Sequence, residues 1–265
     1  MSLKTVTQKY AVDTHRTKAV WVATALFALV FGFMGWSSAL DWEGQVRPLT
    51  TGGLQSAAAF LVPLVCIALG HGAIAADRES GALRVLLAQP HSRRDVVGGA
   101  FVGRLVAIGA ALLVGLVVSL VAYSVRAGQL PGSESLTLAG FVLLWTLFGV
   151  SLTIAVSALV STGRRAVAGG IGAYLFFALL WDWVPQELYR RTATADMRYQ
   201  YPEWVSVLTN LDPVTAFSAA TRLLVYRPDR ALAVYETIPF YAVSLLCWAV
   251  VPIALALWRF PKADL

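Results

Sequence analysis

Six runs of this chain are apolar almost throughout: residues 19–40, 52–76, 97–125, 136–160, 167–184 and 238–258. Crossing about 30 Å of hydrocarbon takes roughly 20 helical residues at about 1.5 Å each, and every run approaches or exceeds that length. The apolar character continues around most of each helix instead of forming one stripe, which suits segments surrounded by lipid or by one another. The runs therefore predict an all-α, polytopic membrane protein with six transmembrane helices, organised as one transmembrane domain over residues 1–265. Charge is as sparse as this requires. Only 14% of residues are charged, against about 25% in a soluble domain, and no sizeable soluble domain fits beside six spans.

The net charge of +6 suggests nucleic-acid binding in a soluble protein. Here its distribution points to membrane orientation instead. Lys4, Lys9, Arg16 and Lys18 precede the first span. Arg78, Arg84, Arg93 and Arg94 lie between the second and third, Arg164 and Arg165 between the fourth and fifth, and Arg259 and Lys262 follow the sixth. The alternate short loops carry only Arg47 and Arg126. An excess of Lys and Arg marks cytoplasmic loops, so both termini are expected in the cytoplasm and the chain in the cell membrane. Trp36, Trp42, Trp181, Trp183 and Trp204 cluster toward the expected outer interface.

Two segments outside the spans have structure of their own. Residues 3–18, LKTVTQKYAVDTHRTK, are cationic with scattered apolar positions; they read as a helix lying along the inner membrane surface, or as a frayed tail. The first span is too long for the apolar region of a signal peptide and is expected to remain as an anchor. Residues 182–237 form a long connection on the outer side. Its stretch YPEWVSVLTNLDPVTAFSAATRLLVY is apolar but interrupted by Asn210, Asp212, Pro213 and Arg222. A structureless loop of that length is uncommon, so short interfacial or re-entrant helices are expected there.

Several chemistries are excluded or weakened. The four lysines follow Leu3, Gln8, Thr17 and Pro261. A phosphate-cradling loop ends in Gly-Lys, so this chain has no such ATPase site. No acidic residue lies deep in a span, where proton- or sodium-driven carriers usually keep one. Arg104 lies two turns into the third run, placed either to snorkel or to pair, and His71 near the end of the second, either as a proton relay or bonded to a carbonyl. Met1, Met34 and Met197 are too scattered for a metal path. Cys66 and Cys247 both fall inside apolar runs and read as core packing. Gly99 with Gly103, and Gly169 with Gly170, allow close helix packing, within the chain or at a dimer seam.

The most informative non-spanning stretch is DRESGALRVLLAQPHSRR at 77–94. Leu83, Leu86 and Leu87 follow helical spacing and form one apolar face, with Arg84 directed elsewhere. Pro90 ends that helix. Ser92 then supplies an N-cap, with Asp95 three residues on, and starts the helix of the third span. A short amphipathic helix rimmed by charge suits docking of a partner protein; the alternative is an ordinary cytoplasmic loop.

Glu79, Gly81, Leu83, Leu86, Leu87, Pro90, Ser92 and Arg93 resemble the E-x-G-T-L-x-x-L-L-x-x-P-x-S-R signature of ABC-2 type transporter permeases, with Ala82 where Thr is common. The resemblance is to the subgroup similar to the permease of nitrous oxide reductase operons. LDPVTAF at 211–217 resembles that subgroup's N-P-V-x-x-F stretch, with Asp212 in place of Asn. The resemblance implies an ABC-2 permease fold and the permease subunit of an exporter. It implies pairing with a second copy of the chain and with two copies of a separate cassette ATPase. ATP and Mg would be bound by that partner, with no cofactor in this chain. Residues 77–96 would be the coupling-helix region: Leu83, Leu86 and Leu87 would supply buried contact, and Glu79, Arg84 and Arg93 would fix register at the rim. The competing class is an ATP-independent secondary carrier or membrane scaffold.

Overall fold

The computed structural model describes residues 17–51, 53–83, 92–192, 202–226 and 228–260. Among these, regular structure is almost wholly helical: α1 Lys18–Ser38, α2 Leu54–Gly70, α3 Gly72–Glu79, α4 Arg93–Ala127, α5 Glu134–Leu159, α6 Gly163–Leu175, α7 Trp183–Thr192, α8 Glu203–Leu211, α9 Pro213–Leu223 and α10 Ile238–Arg259. Five helices are long and apolar enough to cross a membrane, counting α2 and α3 as one, and the bent pair formed by 163–180 and α7 brings the spans to six. The expected surface helix at 3–18 lies outside the described residues except for Thr17 and Lys18. The end of the bundle carrying residues 80–83 and Ser92 is its near end, and the opposite end its far end.

Helix α5 occupies the centre, with α2, α4, α10 and the shorter helices packed around it. Two of its serines enter the backbone ladders of neighbours. The Ser157 hydroxyl, fully buried, accepts from the N–H groups of Ile74 and Ala75 at 3.1 and 3.0 Å and donates to the His71 carbonyl at 2.7 Å. This insertion accounts for the break between α2 and α3, since a side chain in the ladder replaces the regular bonds. Ser151 likewise accepts from Ile253 N–H at 3.1 Å, just past Pro252, which has no N–H of its own to donate.

Helix α4 has 35 residues, about 52 Å at 1.5 Å each, longer than the hydrocarbon is thick. It begins with a Ser92–Asp95 capping box and ends at Gly128, whose φ of 69° is the left-handed geometry glycine adopts without strain. Helix α1 packs along it. A Cβ at Gly35 would collide with the Ser119 carbonyl, and one at Gly115 would lie 2.7 Å from Phe27 Cβ, so these glycines set how closely the two helices approach.

The fifth span departs from the single run expected at 167–184. Helix α6 passes into a π-helical turn, Phe176–Leu180, and then into α7 after a 54° bend. Pro185 explains part of this, because it lacks the N–H that would continue the ladder. Gly169 and Gly170 face Val156 and Ile67 of the same chain, so this glycine pair serves internal packing. Cys66 is core, as expected, but Cys247 is exposed on the outside of α10. An apolar run alone does not reveal which side of its helix faces the bundle.

Candidate functional site

At the near end, α3 closes with Asp77, Arg78 and Glu79. Gly81 then turns the chain with φ +77°. Leu83, two residues on, is only 1% exposed and belongs to the chain's own core. As placed, it is closed to a partner. Leu83 therefore anchors the segment instead of sharing the docking face expected for it.

Glu79 also differs from its expected role at the rim. Its Oε2 accepts from the Gly163 N–H, the first residue of α6, at 2.9 Å. Arg78 donates through Nη1 to the Val160 carbonyl at 3.0 Å, and its guanidinium lies 5.5 Å from the centre of the Phe260 ring. Adjacent residues of α3 thus touch the end of α5, the start of α6 and the end of α10. Sequence reasoning missed Arg78, Val160 and Gly163, because nothing local marks a contact between segments so far apart in the chain.

The other boundary is as expected. Ser92 Oγ accepts from Asp95 N–H at 3.1 Å, and the Asp95 carboxylate accepts from Ser92 N–H at 3.0 Å. Arg93 is the first residue of α4. Arg84, Leu86, Leu87 and Pro90 lie outside the described residues. The described residues on either side of this stretch are thus a buried leucine, Leu83, and the capping box that starts α4. His71 places Nδ1 3.0 Å from the Ile67 carbonyl and 3.1 Å from that of Ala68, the carbonyl-bonded role.

The far end carries the second polar cluster. Asp212 separates α8 from α9 and caps α9, its Oδ2 accepting from Thr215 N–H at 2.6 Å, with Pro213 in the favoured first position. The Leu211 carbonyl accepts from Ser244 Oγ at 2.7 Å and Trp248 Nε1 at 2.8 Å. Tyr241 donates to Asn210 Oδ1 at 2.7 Å. The interrupting residues Asn210, Asp212 and Pro213 are thus those that form and hold the turn. Asp212 is 1% exposed, and its Oδ1 has no hydrogen-bond partner among the described residues. Burial pushes its carboxyl up to about 6, with the charge of Asp182 adding to it and the bonds from Thr215 opposing it.

A cavity of about 320 Å³ lies nearby, lined by Gln186, Ser206, Thr209, Asn210, Tyr235 and Glu236 among others. Two of its polar side chains, Glu236 and Asn210, are already engaged. Both Glu236 oxygens accept from Arg230 at 2.7 Å, and Asn210 bonds to Ser206 as well as Tyr241.

Apolar helices around a central span, with a capped helical hairpin at one end, define a multi-pass membrane protein. A family model described as "ABC-2 family transporter protein" matches residues 5–265, and the chain belongs to that family. It is similar to the "Probable ABC transporter permease protein NosY" of Pseudomonas aeruginosa, with 30% identity over 187 residues, 67% of each chain. It is also similar to the protein of the same description from Stutzerimonas stutzeri, with 28% identity over 188 residues, 68% of this chain and 67% of the relative. The chain is thus a membrane permease subunit of the ABC transporter class.

Proposed function

We propose that this permease works as a homodimer with two copies of a separate cassette ATPase. Residues 77–96 would form the docking region, and ATP and Mg would be bound by the ATPase. Both termini face the cytoplasm in the plasma membrane, as the distribution of Lys and Arg supports. The complex exports its substrate outward. The observation that carries this reading is the segment between Leu83 and Ser92, anchored at each end between the second and third spans. Leu83 ties the end of the second span into the core and Ser92 starts the helix of the third, so a partner docked between these two points would act on both spans.

Association is the direct test. The full-length permease is purified with the cassette ATPase from its gene neighbourhood, and co-elution and ATP turnover are measured. Stable association with turnover that depends on the permease is the expected result. An ATP-independent carrier or scaffold would associate with no such ATPase and would leave its turnover unchanged.

A further inference from the structure

We propose that Glu79 is a positioning residue linking the docking segment to the bent fifth span, through its bond to the start of α6. This deepens the ATPase-docking reading and rests on it.

The first N–H groups of a helix have no partner within the helix. At α6 two are satisfied in different ways. The Arg165 N–H is capped locally, by the Thr162 hydroxyl at 3.3 Å. The Gly163 N–H is capped from another element, by Glu79 at 2.9 Å. Because that terminus is electropositive, a carboxylate suits it. Only Ser80, the Gly81 turn and Ala82 separate Glu79 from the buried Leu83, beyond which the docking segment runs. Displacement of that segment therefore reaches Glu79 through a short, anchored stretch of chain.

From α6 the connection continues to the far end. Helix α6 leads through the π-helical turn to Trp181. The Trp181 indole N–H donates to the Leu208 carbonyl of α8 at 2.9 Å, and α8 is held in turn to α10 by Ser244 and Trp248. π-Helical turns inside helices are frequent at functional sites, and this one lies at the bend of the span. Glu79 thus stands at the near end of a continuous series of directional contacts that finishes in the far-end hairpin.

Position 163 allows a clean test. Proline is favoured as the first residue of a helix. Thr162, with φ −137° and ψ 149°, already has the extended geometry that a residue before proline adopts. Among the described residues, a Cβ at 163 meets Glu79 Oε2 at 3.7 Å and His71 Cδ2 at 4.0 Å, both ordinary contacts. Gly163→Pro removes the donor and sets its ring Cδ where the hydrogen pointed, which displaces the Glu79 carboxylate from this helix start, and Gly163→Ala keeps the donor. Glu79→Ala removes the acceptor, and Glu79→Gln retains one.

Each variant is purified as full-length permease in complex with the cassette ATPase. Amide exchange of residues 203–211 is compared without nucleotide and with ATP plus vanadate. Wild type, Gly163→Ala and Glu79→Gln are expected to show a nucleotide-dependent change in exchange. Gly163→Pro and Glu79→Ala are expected to lose that change, and Gly163→Pro, which lies outside the docking region, is expected to co-elute with the ATPase. A Gly163→Pro complex that responds as wild type does overturns the proposal. So does a wild-type complex that forms but shows no response at 203–211, an outcome that leaves ATPase docking standing. Failure of the wild-type permease to bind the ATPase overturns the docking reading and this proposal together.

Discussion

Trp145 of α5 and Phe217 of α9 stack, with ring centroids 5.2 Å apart and an interplanar angle of 19°. Both are 1% exposed. The contact joins the central span to the long connection, so the far-end hairpin is part of the folded core. Phe217→Ala should leave a cavity beside Trp145 and cost about 3–5 kcal/mol. Phe217→Leu, which fills more of the space, should cost less. Thermal unfolding of the detergent-solubilised permease checks both. Equal stability of Phe217→Ala and wild type would show that the hairpin does not depend on this stack.

The same burial predicts slow amide exchange in residues 203–223 of the assembled protein. Val205, Ala216, Phe217 and Ala220 are buried, and their helices are tied to α10 through the Leu211 carbonyl. Rapid exchange throughout this region would exclude an ordered cap.

Orientation is tested by labelling. An impermeant thiol reagent added outside should modify a cysteine introduced at Arg190, exposed on α7, and should miss one at Arg164, at the opposite end of the fifth span. The exposed Cys247 is replaced first. The reverse pattern would place the docking segment on the outer side and remove the ATPase reading.

Leu86 and Leu87 are the contact residues to test, because Leu83 is used internally. Burying a leucine is worth about 1.5–3 kcal/mol. Leu86→Asp with Leu87→Asp should exceed that loss, since it also desolvates charge. Arg93→Ala should cost under about 1 kcal/mol if its partner contact is solvent-exposed. Co-elution with the ATPase and stimulated turnover are measured on variants shown to fold and insert. Unchanged values for the double variant would exclude this face as the docking surface.

Asp212 should make stability depend on pH. Its folded-state pKa is raised from 3.8 to about 6 by burial. The folded chain therefore binds this proton more tightly than the unfolded chain does. The stabilisation is full below about 4 and is lost as pH rises through about 6, amounting to roughly 3 kcal/mol. Asp212→Asn keeps an oxygen to accept from Thr215 and has no charge to bury. Its melting temperature should vary less between pH 5 and pH 7.5 than that of wild type. Equal pH dependence in the two proteins would show that Asp212 does not titrate in this range.

How much of this was legible in the sequence depends on the range of the interaction concerned. Six spans could be counted because hydrocarbon thickness sets a minimum run length, whatever the helices pack against. The Ser92–Asp95 box was legible because its partners lie three residues apart and need no other element. The interruption at Asn210, Asp212 and Pro213 was read as a barrier to spanning. The same residues form a cap and a helix start, both local.

What only the tertiary structure decided is which side of each apolar segment faces the bundle, and which polar groups meet across it. Leu83 shares its spacing with Leu86 and Leu87 in the sequence, yet its side chain is buried in the chain's own core. Ser157 looks like any small residue in a span, yet it completes the backbone of a helix more than 80 residues away. Glu79 reads as a rim charge, yet it caps a helix 84 residues further along the chain. Hydropathy and capping act within a few residues and leave a mark on the sequence. A hydrogen bond between distant segments depends on how the helices pack, and packing is a property of the whole bundle.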